Sequence, residues 1–169
     1  MFKIALGFVG AVAFGLLSFC SQAQEATSVV SSNDLEANKH LVEQVVSVLS
    51  TGEYDLLDEI VAEDYIQNGV GRPSTREGLR LTYTAYRAAF PDIQWTIDQI
   101  GAEGDLVFIH TTLTGTHQGE FNGIPATGNE VTLCTMDIYR IENGLIVEHW
   151  DVYDQYALLQ QLGMIPSPK

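Results

Sequence analysis

The side chains of this chain best suited to moving protons are Asp137, His149 and Asp151, and all three lie in one stretch, Val131 to Tyr153, VTLCTMDIYRIENGLIVEHWDVY. The stretch reads as two strands joined at Glu142-Asn143-Gly144, an Asn-Gly turn flanked by alternating residues. Period-two alternation puts His149 and Asp151 on one face of the second strand and Trp150 on the other. With a three-residue loop and Gly144 in the left-handed conformation, Ile141 pairs with Leu145, Asp137 faces His149 and Thr135 faces Asp151. A two-residue loop slips that register by one and sets Asp137 opposite Trp150. The first register is expected, because it gathers the ionisable groups of the hairpin onto one face. Two carboxylates and an imidazole among Ile, Val, Leu and Met are costly unless they are paired or useful. The plain alternative is a face that is simply wet.

Removing a proton next to a carbonyl group requires a base within hydrogen-bond reach. A carboxylate ordinarily titrates near ~4, and a dry pocket raises that value by disfavouring the charged form. His149 could orient a substrate carbonyl or enolate, and Asp137 could fix the imidazole tautomer. Joined by His110, the same side chains have the ligand types of a zinc site, but their spacing matches no closed motif. A purely structural ion-pair cluster holding the hairpin is the remaining reading.

These groups sit in a chain of 169 residues, long enough for one domain with a real core. A hydrophobic content of 46% and a charged content of 18% are those of a globular protein. The formal charge of −14 repels phosphate backbones and anionic lipid, which argues against nucleic-acid binding. There is no Walker-type glycine loop, no dinucleotide fingerprint and no CxxC pair.

Residues 1–23 read as a signal peptide. Lys3 supplies the positive start, Ile4 to Phe19 is an uncharged apolar run, and Ser21-Gln22-Ala23 presents small residues for cleavage after Ala23. Leu17-Ser18-Phe19-Cys20 offers a lipobox-like alternative with lipidation at Cys20, though Phe19 stands where that motif wants a small residue. The apolar run is shorter than the roughly 20 residues of a membrane span, so no stable span is expected in the mature chain. The expected location is periplasmic or secreted. Cleavage leaves Cys134 as the only cysteine, expected to be a buried, inert thiol. Residues 24–33 read as a flexible tether and 34–169 as the folded domain.

Within that domain Asn33 or Asp34 can cap a first helix running to about Ser50. A shorter second helix follows, with Leu56, Leu57, Ile60 and Val61 as its stripe, and Asp64 to Gly69 leaves it as an extended turn. Ser74 and Glu77 form a capping-box pattern for a third helix carrying Leu79, Tyr83, Tyr86 and Phe90. From Asp92 the period becomes two, through Ile93, Trp95 and Ile97, then through Leu106 to His117. A Gly/Pro-rich loop, Gln118 to Asn129, precedes the hairpin, and Asp154 to Leu162 reads as a closing helix. Helices followed by antiparallel strands imply an α+β fold, with the helices on one face of a curved sheet.

The run GTHQGEFNGIPATGNEVTLCTMDIYRIENGLIVEHWDVYD, ending in LLQQLGMIP, resembles the SnoaL-like ester cyclases, a branch of the NTF2-like (cystatin-like) superfamily. NKHLVEQVVSVLSTGEYDLLDEIVAEDY and AAFPD extend the similarity over nearly the whole mature chain. The resemblance implies a cone-shaped barrel of three N-terminal helices on a curved antiparallel sheet, a hydrophobic pocket and a homodimer formed through the outer sheet face. It also implies ring closure by intramolecular aldol condensation of a polyketide or keto-ester, without metal or organic cofactor. A single aspartate serves such enzymes as acid and base, and by position it falls on Asp151. The expected export departs from these relatives, which act inside the cell. The pocket, placed between sheet and helices, is expected to hold a small hydrophobic molecule against Tyr65, Asn68, Tyr83, Phe90, Trp95, His110, Thr135 and Phe121. His117 is expected to anchor the glycine-rich loop. A binding protein without catalysis would use the same pocket.

Overall fold

The computed structural model describes residues 31–69 and 73–166, so the leader, Cys20 and most of the tether lie outside the described residues. Helix α1 (Ser32–Thr51) begins two or three residues earlier than expected. Ser31 caps it: its Oγ accepts from the Asp34 N–H at 3.2 Å, and the Asp34 carboxylate accepts from the Ser31 N–H at 3.1 Å. That reciprocal pair satisfies donors left over at the helix start. Val42, Val45, Val46, Val48 and Leu49 form the buried stripe, and at the C-terminal end the Arg87 guanidinium donates to the Leu49 and Ser50 carbonyls. A cation there complements the negative end of the helix dipole.

The expected second helix is cut short. A 3₁₀ turn (Tyr54–Leu56) leads into a single turn, α2 (Leu57–Ile60), and the chain then becomes a strand, β1 (Val61–Gln67). Val61, Tyr65 and Gln67 point inward while Ile66 stays exposed. The strand exists because β5 offers a parallel edge, pairing Ile66 with Glu148 and Gln67 with His149. Tertiary pairing of this kind overrides a short local periodicity. The start of α3 (Arg76–Ala89) also differs from expectation: Thr75 is the cap, its Oγ1 accepting from the Gly78 N–H at 2.9 Å. Ser74 instead bonds the backbone of Gln67, donating to its carbonyl at 3.0 Å and accepting from its N–H at 3.3 Å.

Strands β2 (Gln94–Glu103), β3 (Leu106–Thr116), β4 (Glu130–Glu142) and β5 (Leu145–Tyr153) follow, and α4 (Gln155–Gln161) closes the chain where a helix was expected. The sheet order is β1-β5-β4-β3-β2, antiparallel except for the β1/β5 pair. The α+β architecture with helices on one sheet face is therefore as expected. So are three N-terminal helices, although the second is a single turn and a strand precedes the third; the purely antiparallel sheet is not, since β1 runs parallel to β5. One part of the core packs Val42, Val45 and Leu49 of α1 against Val107, Ile109, Tyr139, Ile141 and Ile146. The other gathers Phe90, Ile93, Leu113, Val131, Leu133 and Leu158. Among the described residues no helix is long and apolar enough to cross a membrane.

The β4–β5 turn has two residues, Asn143 (φ 52°) and Gly144 (φ 76°), so Glu142 pairs with Leu145 and Ile141 with Ile146. Val147 is then left without a partner across the ladder, and from Arg140 opposite Glu148 onward the register is displaced. His149 faces Tyr139, Asp137 faces Asp151 and Thr135 faces Tyr153. The expected register is thus corrected: the turn is the two-residue alternative, but Asp137 does not face Trp150. The short turn slips the pairing by one residue and the bulge adds one more. Two slips restore the parity, so Asp137, His149 and Asp151 still share the inner face. The same alternation corrects Cys134, which lies between inward-facing Leu133 and Thr135 and is exposed.

Candidate functional site

Alternation along β4 aims Thr135, Asp137 and Tyr139 inward, and the bulged β5 aims His149 and Asp151 into the same space. His149 is 1% exposed, with its ring stacked on Tyr139 at 4.2 Å between centroids and 6° between planes. Its Nε2 lies 3.0 Å from Asp137 Oδ1. Its Nδ1 lies 3.0 Å from both the Tyr65 hydroxyl and Gln67 Oε1. Thr135 donates a short hydrogen bond to the other Asp137 oxygen, Oδ2, and Thr111 Oγ1 lies 2.7 Å from Thr135 Oγ1. On the far side the Gln67 amide donates to Asp151 Oδ1 at 2.7 Å.

The proton positions are assigned from this network. The Tyr65 hydroxyl donates to Gln67 Oε1 at 2.5 Å, so His149 Nδ1, facing two oxygens, acts as a donor. A further proton must lie between His149 Nε2 and Asp137 Oδ1. That proton makes the contact a hydrogen bond, so neither group is left without a partner in the interior. Burial holds the Tyr139 phenol well above its ordinary value of 10.0, and the nearby Asp137 charge adds to the effect.

The network borders two neighbouring spaces. The inner one is an apolar cavity of about 50 Å³ bounded by Tyr83, Tyr86, Phe90, Trp95, Leu113, Phe121, Leu133 and Leu158, with Thr135, Asp137 and Asp151 as its polar wall. The outer one is a cleft of about 670 Å³ between Pro73, Thr82 and Ala85 on one side and Glu120, Asn122, Val152 and Gln155 on the other. Tyr86, Phe121, Asp151 and Tyr153 line both. Asp151 therefore borders both spaces, whereas His149 lies behind the wall.

Of the residues expected at the pocket, Tyr83, Phe90, Trp95, Phe121 and Thr135 line it. Tyr65 does not; it is buried behind the wall and bonds Gln67 and His149. Asn68 is exposed past the end of β1, bonded to Glu148 Oε1 at 3.0 Å and to the His149 carbonyl at 3.3 Å. His110 is also excluded, because Ile109 and Thr111 take the inward positions of β3. It sits on the opposite sheet face, 3.4 Å from Asp98. The set of four proposed zinc ligands is accordingly not assembled. His117 is fully buried and ties down the loop, its Nδ1 accepting from the Thr127 N–H at 3.3 Å. Sequence reasoning missed Gln67, which bridges Asp151 to His149. The alternation of Tyr65 and Gln67 was its only local signal.

Helices on one face of a strongly bonded five-stranded sheet, with a pocket between the layers, define an α+β protein of the NTF2-like class. The chain belongs to the SnoaL-like polyketide cyclase family, whose model matches residues 39–162. It is 30% identical over 129 residues to the aklanonic acid methyl ester cyclase DauD of Streptomyces sp. (strain C5), covering 73% of this chain and 80% of that one. It is equally 30% identical over 129 residues to the nogalonic acid methyl ester cyclase of Streptomyces nogalater, covering 70% and 92%. Among solved structures, TsrD from Streptomyces laurentii superposes with a TM-score of 0.72 at 28% identity, covering 77% of this chain and 97% of TsrD. AclR from Streptomyces galilaeus does so with 0.73 at 29% identity, covering 80% and 86%.

Proposed function

We propose that this protein is an exported, cofactor-independent cyclase or isomerase that acts on a small hydrophobic keto-ester or polyketide-like molecule, with Asp151 as its acid and base. The observation that carries this reading is the place of Asp151, a carboxylate that lines both an apolar cavity and a larger open cleft. The bulk of a substrate fits the cleft, and a substituent or reacting edge fits the narrow cavity. Asp151 then lies beside the carbon that must lose a proton, takes that proton, and returns it to the oxygen that becomes a hydroxyl. Low dielectric around the cavity strengthens each of these contacts. His149 and Asp137 act from behind and beside the carboxylate, setting the shape and polarity of the wall. Family membership fixes the fold more firmly than the reaction, so the reading stands on this geometry.

The outer sheet face supports pairing with a second copy of the chain. Phe108, Ile138 and Trp150 align across three strands, with Met136 and Val152 beside them. These residues give an acidic protein an uncharged surface on which two copies can meet.

The enzymatic reading is tested on the full chain, leader included, expressed in a bacterial host and recovered from the periplasm. Export predicts a mature chain beginning at Gln24. The preparation is given aklanonic and nogalonic acid methyl esters, with the Asp151→Asn variant in parallel. Turnover by the wild type and its loss by about 1,000-fold or more in a normally folded variant are expected. Equal turnover by the two proteins would remove Asp151 from the reaction. Saturable binding of the esters without product would replace the enzyme with a binding protein.

A further inference from the structure

Gln67 reaches the site from β1, which pairs with β5 in parallel, and every polar atom of this residue has a partner. Its backbone is fixed at both ends by Ser74, whose Oγ accepts from the N–H and donates to the carbonyl. The side chain is buried, 8% of the residue being exposed. Its Oε1 accepts from the Tyr65 hydroxyl at 2.5 Å and lies 3.0 Å from His149 Nδ1. With donors on that oxygen, the amide can face only one way, and Nε2 is left to donate to Asp151 Oδ1 at 2.7 Å. Register explains the reach: Gln67 pairs with His149, and Asp151 is the next residue of β5 on the same face.

We propose that Gln67 is a positioning residue for Asp151, holding its carboxylate where it borders both cavity and cleft while linking it to the His149–Asp137 pair. The inference rests on the reading of Asp151 as acid and base. A carboxylate that must collect a proton from one substrate atom and deliver it to another needs a fixed orientation, and an amide donor supplies it. The amide also separates the two proton-bearing groups. It donates to Asp151 and accepts from His149, but an amide does not pass a proton on. A proton taken by Asp151 therefore stays there for return to the substrate and is not lost to the buried pair.

The test uses Gln67→Leu and Gln67→Glu in the full-length protein, with folding checked by circular dichroism and kinetics on the ester that the wild type turns over. Gln67→Leu removes the donor and is expected to lower kcat by about 100-fold while KM moves far less. Gln67→Glu keeps the acceptor that Tyr65 and His149 use but sets a carboxylate oxygen against Asp151. Its acid limb in the kcat/KM profile is expected to shift to higher pH, because the two carboxylates then compete to keep a proton. This variant also covers the case in which Gln67→Leu does not fold, since Tyr65 and His149 keep their partner. Wild-type kcat and an unmoved pH profile in a folded Gln67→Glu variant would overturn the positioning role. If Asp151→Asn is inactive while the Gln67 variants behave as wild type, the positioning claim alone falls. If Asp151→Asn is active, the reading of Asp151 falls first.

Discussion

Tyr139 shows how a single side chain reports on the buried network. Its ring lies flat on His149 and its phenol is held well above 10.0 by burial and by the Asp137 charge. In the unfolded chain the same phenol ionises near its ordinary value. Above about pH 10 the native state therefore keeps a proton that the unfolded state has released, and stability falls as pH rises. Below that value the residue contributes no pH dependence. Urea midpoints measured on both sides of pH 10 should decline more steeply for the wild type than for Tyr139→Phe. Parallel declines would show that the phenol is not held in this way. At this scale the sequence carried much of the site: period-two spacing put His149 and Asp151 on one face, while Asp137 joins them because the short turn and the bulge together slip the register by two. Gln67 was not legible, because nothing within a few residues of it records a parallel pairing with a strand some 80 positions later.

At the scale of elements, α1, α3, the Asn-Gly hairpin and the closing helix could be read from periodicity and turn chemistry. β1 could not, since Val61 and Ile60 fit a short helix as well as a strand until β5 is present to pair with. The bulge at Val147 was equally hidden, as one unpaired residue leaves no pattern in an alternating stretch. The loop between β3 and β4 depends on a similar close fit. Gly119 donates its N–H to the Ala89 carbonyl at 2.9 Å, and a Cβ on it would come within 2.2 Å of the Ala88 carbonyl oxygen. That approach seats Phe121 between Tyr86 and Phe90, with centroid separations of 5.4 Å to each. Gly119→Ala should therefore push the loop from the end of α3 and cost about 1–3 kcal/mol, as overpacking does. A lowered urea midpoint together with changed ring shifts for Phe121 in NMR spectra would bear this out. An unchanged midpoint would mean that the loop rests on α3 without depending on it.

On the scale of the whole molecule, the charge of −14 sets a condition on any self-association: two copies repel unless they meet where the charge is absent or balanced. The outer sheet face meets that condition. Phe108, Met136 and Val152 are 36%, 54% and 66% exposed, a large apolar surface for a protein with so many carboxylates. The charges around it are already paired. Arg140 bridges Asp105 at 2.5 Å and Glu148 at 3.1 Å while lying 5.5 Å from the Trp150 ring, and His110 faces Asp98. The helices cover the opposite face, and Val152, which also lines the cleft beside Asp151, brings the edge of the contact to one rim of that cleft. Met136 is central to this surface, across from His110 on one side and Val152 on the other. Placing an ammonium group there in both copies desolvates two like charges at the centre of the contact. Sedimentation equilibrium at micromolar concentration should show the wild type as a dimer and Met136→Lys as a monomer. A monomeric wild type would mean that this face meets something other than a second copy of the chain.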